Sequence, residues 1–188
     1  MGPDEQDRKR REFEETALVH MNSIYSAALR LTRNKTEAED LFQETFLRAY
    51  RFFHQFRQGS NCRAWLFAIL HSLFINRVRQ SSHPLVHFNE EEVYREGGVV
   101  TGLPANPEVD LVHRLAGEDV HRAIQGLPPK LRVVVVLADL EGCSYREISE
   151  ICSCPIGTVM SRLYRGRQAL RAALKGYAQG GRGTGKDP

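Results

Sequence analysis

The side chains best suited to chemistry lie in residues 144–174, which read SYREISEICSCPIGTVMSRLYRGRQALRAAL. Small, hydroxyl and guanidinium groups recur there on one side of a helical period: Gly157, Thr158, Ser161, Tyr164, Arg165 and Gln168. Ile156, Val159, Leu163, Leu170 and Leu174 fall on the other side at about 100° per residue. Arg162 and Arg167 flank the apolar stripe. Such groups break no covalent bond. They donate and accept hydrogen bonds, which suits base edges in a DNA major groove and phosphates at its rim. The element that must position them is a pair of helices. Ser144 and Glu147 have the spacing of a capping box, so a first short helix begins there. Cys152, Ser153 and Cys154 interrupt it, and Pro155 fits the first turn of a second helix. Helix, tight turn and helix make a helix-turn-helix.

The rest of the 188-residue chain carries no competing chemistry. Cys62, Cys143, Cys152 and Cys154 form no disulfide framework, and Cys152-x-Cys154 is not a usual zinc spacing. Reduced thiols are expected, with no metal or other cofactor. No Ser/His/Asp or paired-carboxylate arrangement emerges, so the chain is not read as an enzyme. Residues 180–186 (GGRGTGK) fit the P-loop spacing, but Asp187 follows the lysine and the chain then ends, so no helix is available to receive a phosphate.

Charge is segregated. The formal net charge is only +3. Residues 45–89 contain no acid but hold Arg48, Arg51, Arg57, Arg63, Arg77 and Arg79. Residues 151–186 are likewise acid-free and hold Arg162, Arg165, Arg167, Arg171, Lys175, Arg182 and Lys186. Two basic blocks suggest two contacts with a polyanion. A charged N-terminus and short apolar runs give neither a signal peptide nor a membrane span, so a cytoplasmic protein without membrane insertion is expected.

Periodicity makes the chain all-α. Residues 1–11 are expected to fray. A helix is expected over 13–31, another from a Thr36/Glu39 capping box to about Phe53 with Ala38, Leu41, Phe42, Thr45, Ala49 and Phe52 inward, and a third over 62–79. Trp65 lies in its apolar part and is read as core. Residues 83–107 lack helical period and hold glycines, prolines and an acid run, which marks a flexible linker. Residues 109–125 are helical again, and Pro128-Pro129 opens a helix through about Leu140. The polar, Gly-rich end is read as a tail.

The segments AEDLFQETFLRAYRFFHQF, NCRAWLFAILHSLFINRVR, LPPKLRVVVVLADLEGCSYREISEI and CPIGTVMSRLYRGRQAL resemble, in order and spacing, bacterial extracytoplasmic-function sigma factors of the sigma-70 family. The first two lean towards the branch that responds to thiol oxidation. The resemblance implies two small helical domains: sigma-2 at 12–82 and sigma-4 at 108–176, with the linker at 83–107 and a disordered tail at 177–188. Sigma-2 would bind the polymerase clamp and read and open the −10 element. Sigma-4 would bind the flap and read the −35 element, together directing promoter-specific transcription initiation, commonly as part of a stress response.

By the family motif, Thr158, Ser161, Arg162, Tyr164, Arg165 and Arg167 would meet the −35 DNA, with Ser161, Tyr164 and Arg165 at base edges and Arg162 and Arg167 on phosphates. Met160 stands where many relatives carry a basic residue. The −10 contacts would come from the loop 57–62, with Arg57, Ser60, Asn61 and Arg63, and from Asn76, Arg77 and Arg79 further along the helix. Asp40, Gln43, Glu44, Leu47 and Arg48 would face core RNA polymerase. An anti-sigma factor would cover the same faces. The alternative is a stand-alone helix-turn-helix regulator of transcription, which would bind promoter DNA without polymerase.

Overall fold

The computed structural model describes residues 3–82 and 118–180. Among them every regular element is helical. The expected linker 83–107 and most of the Gly-rich tail lie outside the described residues. The N-terminal half contains α1 (Pro3–Ala17), α2 (Met21–Leu31), α3 (Lys35–Phe52) and α4 (Cys62–Ser82). The C-terminal half contains α5 (Glu118–Gly126), α6 (Pro129–Val135), α7 (Tyr145–Ile151) and α8 (Ile156–Gly180).

Four expectations need correction. Residues expected to fray are helical from Pro3, supported by Arg8–Glu12 and Arg10–Glu14 pairs one turn apart. Phe13 anchors this helix edge-on against Phe46, Tyr50 and Phe53. The single helix expected over 13–31 is broken by a 3-10 turn, Leu18–His20. The N-cap of α3 lies two residues earlier than expected: Asn34 Oδ1 accepts from the Glu37 amide at 2.8 Å, and Asn34 Nδ2 donates to the Glu37 carboxylate at 2.9 Å. Asparagine in extended geometry caps better than threonine, so it wins over Thr36/Glu39. The last helix continues to Gly180, past the expected start of the tail.

The remaining local signals read as the sequence suggests. Ser144 and Glu147 form the capping box of α7. Pro128 and Pro129 begin α6. A five-residue π turn, Val136–Leu140, extends α6. On α3, Ala38, Leu41, Thr45 and Ala49 are buried, while Phe42 and Phe52 are only partly covered. Trp65 packs against Phe53 and Phe56, with ring centroids 6.4 and 5.1 Å away.

The two halves are packed on each other. α4 lies against α7, and α2 lies against α5, α6 and the π turn. The buried side chains form one continuous cluster running from Phe13 to Leu170. Arg132 on α6 is 6% exposed and donates to the Leu31 carbonyl at 2.5 Å, which closes the C-terminal end of α2 from the other half of the chain. It also donates to the carbonyls of Gln125 and Leu127.

Candidate nucleic-acid and polymerase interface

The helix-turn-helix is built as its caps dictate. α7 ends at Cys152, and Ser153 takes a positive φ of 47°, a left-handed turn residue. Ser149 Oγ donates to the Cys154 carbonyl at 2.6 Å and braces the turn. α8 then seats Val159, Leu163, Gly166 and Leu170 inward. Gly166 allows the closest approach to α6: a Cβ there would lie 2.7 Å from Val135 Cγ2.

The opposite face of α8 is open. Ser161, Tyr164, Arg165 and Gln168 are exposed, Tyr164 at 63%. Arg165 Nε reaches back to the Ser161 carbonyl at 3.3 Å, and Gln168 donates to the Tyr164 hydroxyl at 2.8 Å. Thr158 is half-buried in the first turn, and its carbonyl accepts from Ser161 Oγ at 3.0 Å. Met160 is half-exposed on the flank.

Arg162 and Arg167 of this helix reach side chains outside it. Arg162 Nη1 lies 3.6 Å from Cys154 Sγ. Arg167 binds Asp139 of the π turn through two hydrogen bonds of 2.6 and 3.1 Å, and Asp139 is 4% exposed. This pairing drives the Arg167 guanidinium above its ordinary pKa, the hydrogen bond to Asp139 being the largest cause. In this structure Arg167 is therefore a strut between α8 and the end of α6.

The expected −10 residues are distributed over a loop and one helix. Gly59 takes φ 82°, which turns the loop. Ser60 Oγ donates to the Arg57 carbonyl at 2.6 Å. Asn61 caps α4, accepting from the Ala64 amide at 3.0 Å, and its amide donates to Glu147 of α7 at 2.8 Å. Arg63 has no acid near it in sequence. It finds one across the fold: its Nη2 donates to the Glu141 carbonyl at 2.5 Å and lies 3.2 Å from Glu141 Oε2. Further along α4, Asn76 is half-buried, Arg79 is exposed, and Arg77 binds Glu44 at 2.9 Å and the Glu37 carbonyl at 3.3 Å.

The outer face of α3 presents Asp40 and Gln43, both exposed, and Leu47, which is 71% exposed. Glu44 pairs with Arg48 at 3.2 Å as well as with Arg77.

Sequence reasoning missed Ser23, Arg30, Arg132, Asp139 and Glu141, all of which bridge elements distant in the chain. A signal existed for Glu141: residues 45–89, which hold Arg63, are acid-free, and the acid cluster at 139–150 complements them. Cys62, Cys143 and Cys152 are poor nucleophiles. Burial pushes the Cys62 thiol up to about 11 and those of Cys143 and Cys152 up to about 12. No group of three or more metal-ligating side chains occurs among the described residues, and no helix among them is long and apolar enough to cross a membrane.

Comparison with known proteins places this architecture. Residues 18–83 match "Sigma-70 region 2", and residues 117–170 match "Sigma-70, region 4". The ECF RNA polymerase sigma factor SigE of Mycolicibacterium smegmatis is 37% identical over 162 residues, covering 86% of this chain and 61% of that protein. The ECF RNA polymerase sigma factor SigW of Bacillus subtilis is 33% identical over 167 residues, covering 87% of this chain and 89% of that protein. Among solved structures, the Bartonella quintana sigma factor RpoE in complex with the anti-sigma factor NepR superposes with a TM-score of 0.65 at 28% identity, over 88% of this chain and 98% of that one. The chain thus belongs to the sigma-70 family, in its extracytoplasmic-function branch. Members of this class are transcription initiation factors. Because the N-terminal half matches region 2, the reading as a stand-alone helix-turn-helix regulator is set aside.

Proposed function

We propose that this chain binds core RNA polymerase, acts in the cytoplasm without catalysing a reaction itself, and directs initiation by reading a −35 element with α8 and a −10 element with the loop 57–62 and α4. The observation that carries the first contact is the open face of α8. Its Val159, Leu163 and Leu170 are seated, its outer side carries hydroxyl and guanidinium groups, and no acid lies between residues 151 and 186. Arg165 is the base-reading arginine of this set, and Ser161 and Tyr164 flank it. Asp40, Gln43 and Leu47 on α3 form the polymerase face. The Bartonella relative was crystallised with an anti-sigma factor, and a partner of that kind would cover α3 and α6 here.

The direct test is transcription in vitro with core polymerase on a library of random promoters. Selective enrichment of promoters with two elements is expected. Promoter-specific binding by the chain alone, with no transcription when core polymerase is supplied, would refute the proposal.

A further inference from the structure

Glu141 sits just past the π turn, in the C-terminal half, yet its side chain is 7% exposed because the N-terminal half encloses it. Ser23 Oγ on α2 donates to Oε2 at 2.6 Å. Arg63 Nη2 on α4 lies 3.2 Å from the same oxygen, and Arg30 Nη1 on α2 lies 3.8 Å from Oε1. Arg63 Nε also donates to Ser23 Oγ at 3.1 Å. Phe67 supports the Arg63 guanidinium from one face, with the ring centroid 5.0 Å away. Two guanidiniums and a hydroxyl thus converge on one oxyanion. Neither α2 nor residues 45–89 contains an acid, so the N-terminal half supplies no anion from α2 or α4 for this site. The loop expected to read the −10 element adjoins it, and its Asn61 is held in the same way by a second carboxylate, Glu147.

We propose that Ser23, Arg30 and Arg63 form a phosphate site for single-stranded −10 DNA, and that Glu141 fills it in this structure as a carboxylate stand-in. The chemistry is the same for both occupants: an anionic oxygen receiving charge-assisted hydrogen bonds from guanidinium and hydroxyl donors. The two cannot occupy the site together. Region 4 therefore competes with DNA for region 2, and moving Glu141 away frees an intact, pre-ordered site. The inference rests on the proposed reading of the −10 element by region 2, and assigns Ser23 and Arg30 to that contact.

The test uses the full chain and a fluorescent single-stranded oligonucleotide of mixed sequence, made with phosphodiester or with uncharged methylphosphonate linkages. Circular dichroism establishes the fold of each variant. Glu141→Gln is expected to tighten binding of the phosphodiester probe about tenfold, as loss of a charged hydrogen-bonding competitor implies. The gain should vanish on the methylphosphonate probe and in the Arg30→Ala, Glu141→Gln double variant. A folded Glu141→Gln that binds like the wild type, or a gain that survives on the methylphosphonate probe, overturns the proposal and leaves Glu141 as a structural contact. A second arm needs no change at Glu141. In holoenzyme on a pre-melted promoter, Arg30→Ala should lower the slope of log K against log salt by about 0.7, one single-strand phosphate contact. An unchanged slope overturns the proposal. Failure of wild-type holoenzyme to bind any promoter in the same assay would instead refute the sigma-factor reading, so the two failures are distinct.

Discussion

Removing Asp139 would test whether Arg167 serves the fold or the DNA. The carboxylate meets the guanidinium at 2.6 and 3.1 Å, and their side chains are 3% and 18% exposed. At a separation near 3 Å and an effective dielectric of about 20, the attraction is roughly 5 kcal/mol before desolvation. Most of that is offset by burying both ions, so the pair itself stabilises little. Removing one partner is different, because the other charge stays buried: Asp139→Leu should cost about 3–5 kcal/mol. For a chain of this size that lowers the melting temperature by about 10 °C. The double variant Asp139→Leu, Arg167→Met should recover most of the loss, since no uncompensated charge remains. Thermal melts followed by circular dichroism give the stability cycle, and promoter binding at several salt concentrations gives the DNA side. If Arg167→Met leaves the melting temperature unchanged and lowers the salt slope by about 1, the arginine spends its time on a phosphate and the strut reasoning is refuted.

Further outcomes are expected elsewhere. Arg165→Ala should weaken −35-dependent initiation by about 1–3 kcal/mol and relax base preference at one position, scored by competing promoter variants. Asp40→Arg should abolish binding to core polymerase in a pull-down while leaving the circular dichroism spectrum unchanged, since charge reversal at a complementary interface costs several kcal/mol. Gly166→Ala gains about 1 kcal/mol of helix propensity but forces a methyl against Val135, an overpacking that costs about 1–3 kcal/mol. A net loss in chemical denaturation is therefore expected, relieved by adding Val135→Ala. His71 on α4 has its pKa pushed down to about 4, first by burial and then by Arg162 and Arg79. The unfolded chain takes up this proton near pH 6.5 and the folded chain does not, so stability falls as pH drops from about 6.5 to 4 and levels off below. His71→Gln should flatten that slope in denaturation curves taken across this window.

The helices were legible because each carries its own period and its own stop. Ser144 with Glu147, Pro129, and Val159, Leu163 and Leu170 of α8 are local signals, and each lies in the structure where the pattern puts it, whereas Ile156, expected in the same apolar stripe, is 41% exposed in the first turn. The error at the start of α3 is instructive: Asn34-x-x-Glu37 and Thr36-x-x-Glu39 overlap, and only the relative capping strength separates them. Periodicity reads an exposed face well, so Ser161, Tyr164 and Arg165 were found together. It does not show what a long side chain reaches. Arg167 lies on the helix flank, and its tie to Asp139 spans 28 residues. Arg63 and Glu141 are 78 residues apart, and Ser23 and Glu141 are 118 apart, separations at which no local pattern operates.

The contact between the two halves has a thermal consequence. It combines apolar packing, such as α4 against α7, with ions and amides: Arg30, Arg63 and Arg132, Glu141 and Glu147, Asn61 and Gln125. Burial of apolar surface weakens on cooling. The penalty for taking charged groups out of water grows on cooling, because the hydration of ions becomes more favourable. Docking two folded halves freezes few torsions compared with folding a chain, so the entropy that usually opposes both terms on warming is small here. Both terms then run in one direction, and each favours the docked arrangement of the halves more in warmth than in cold.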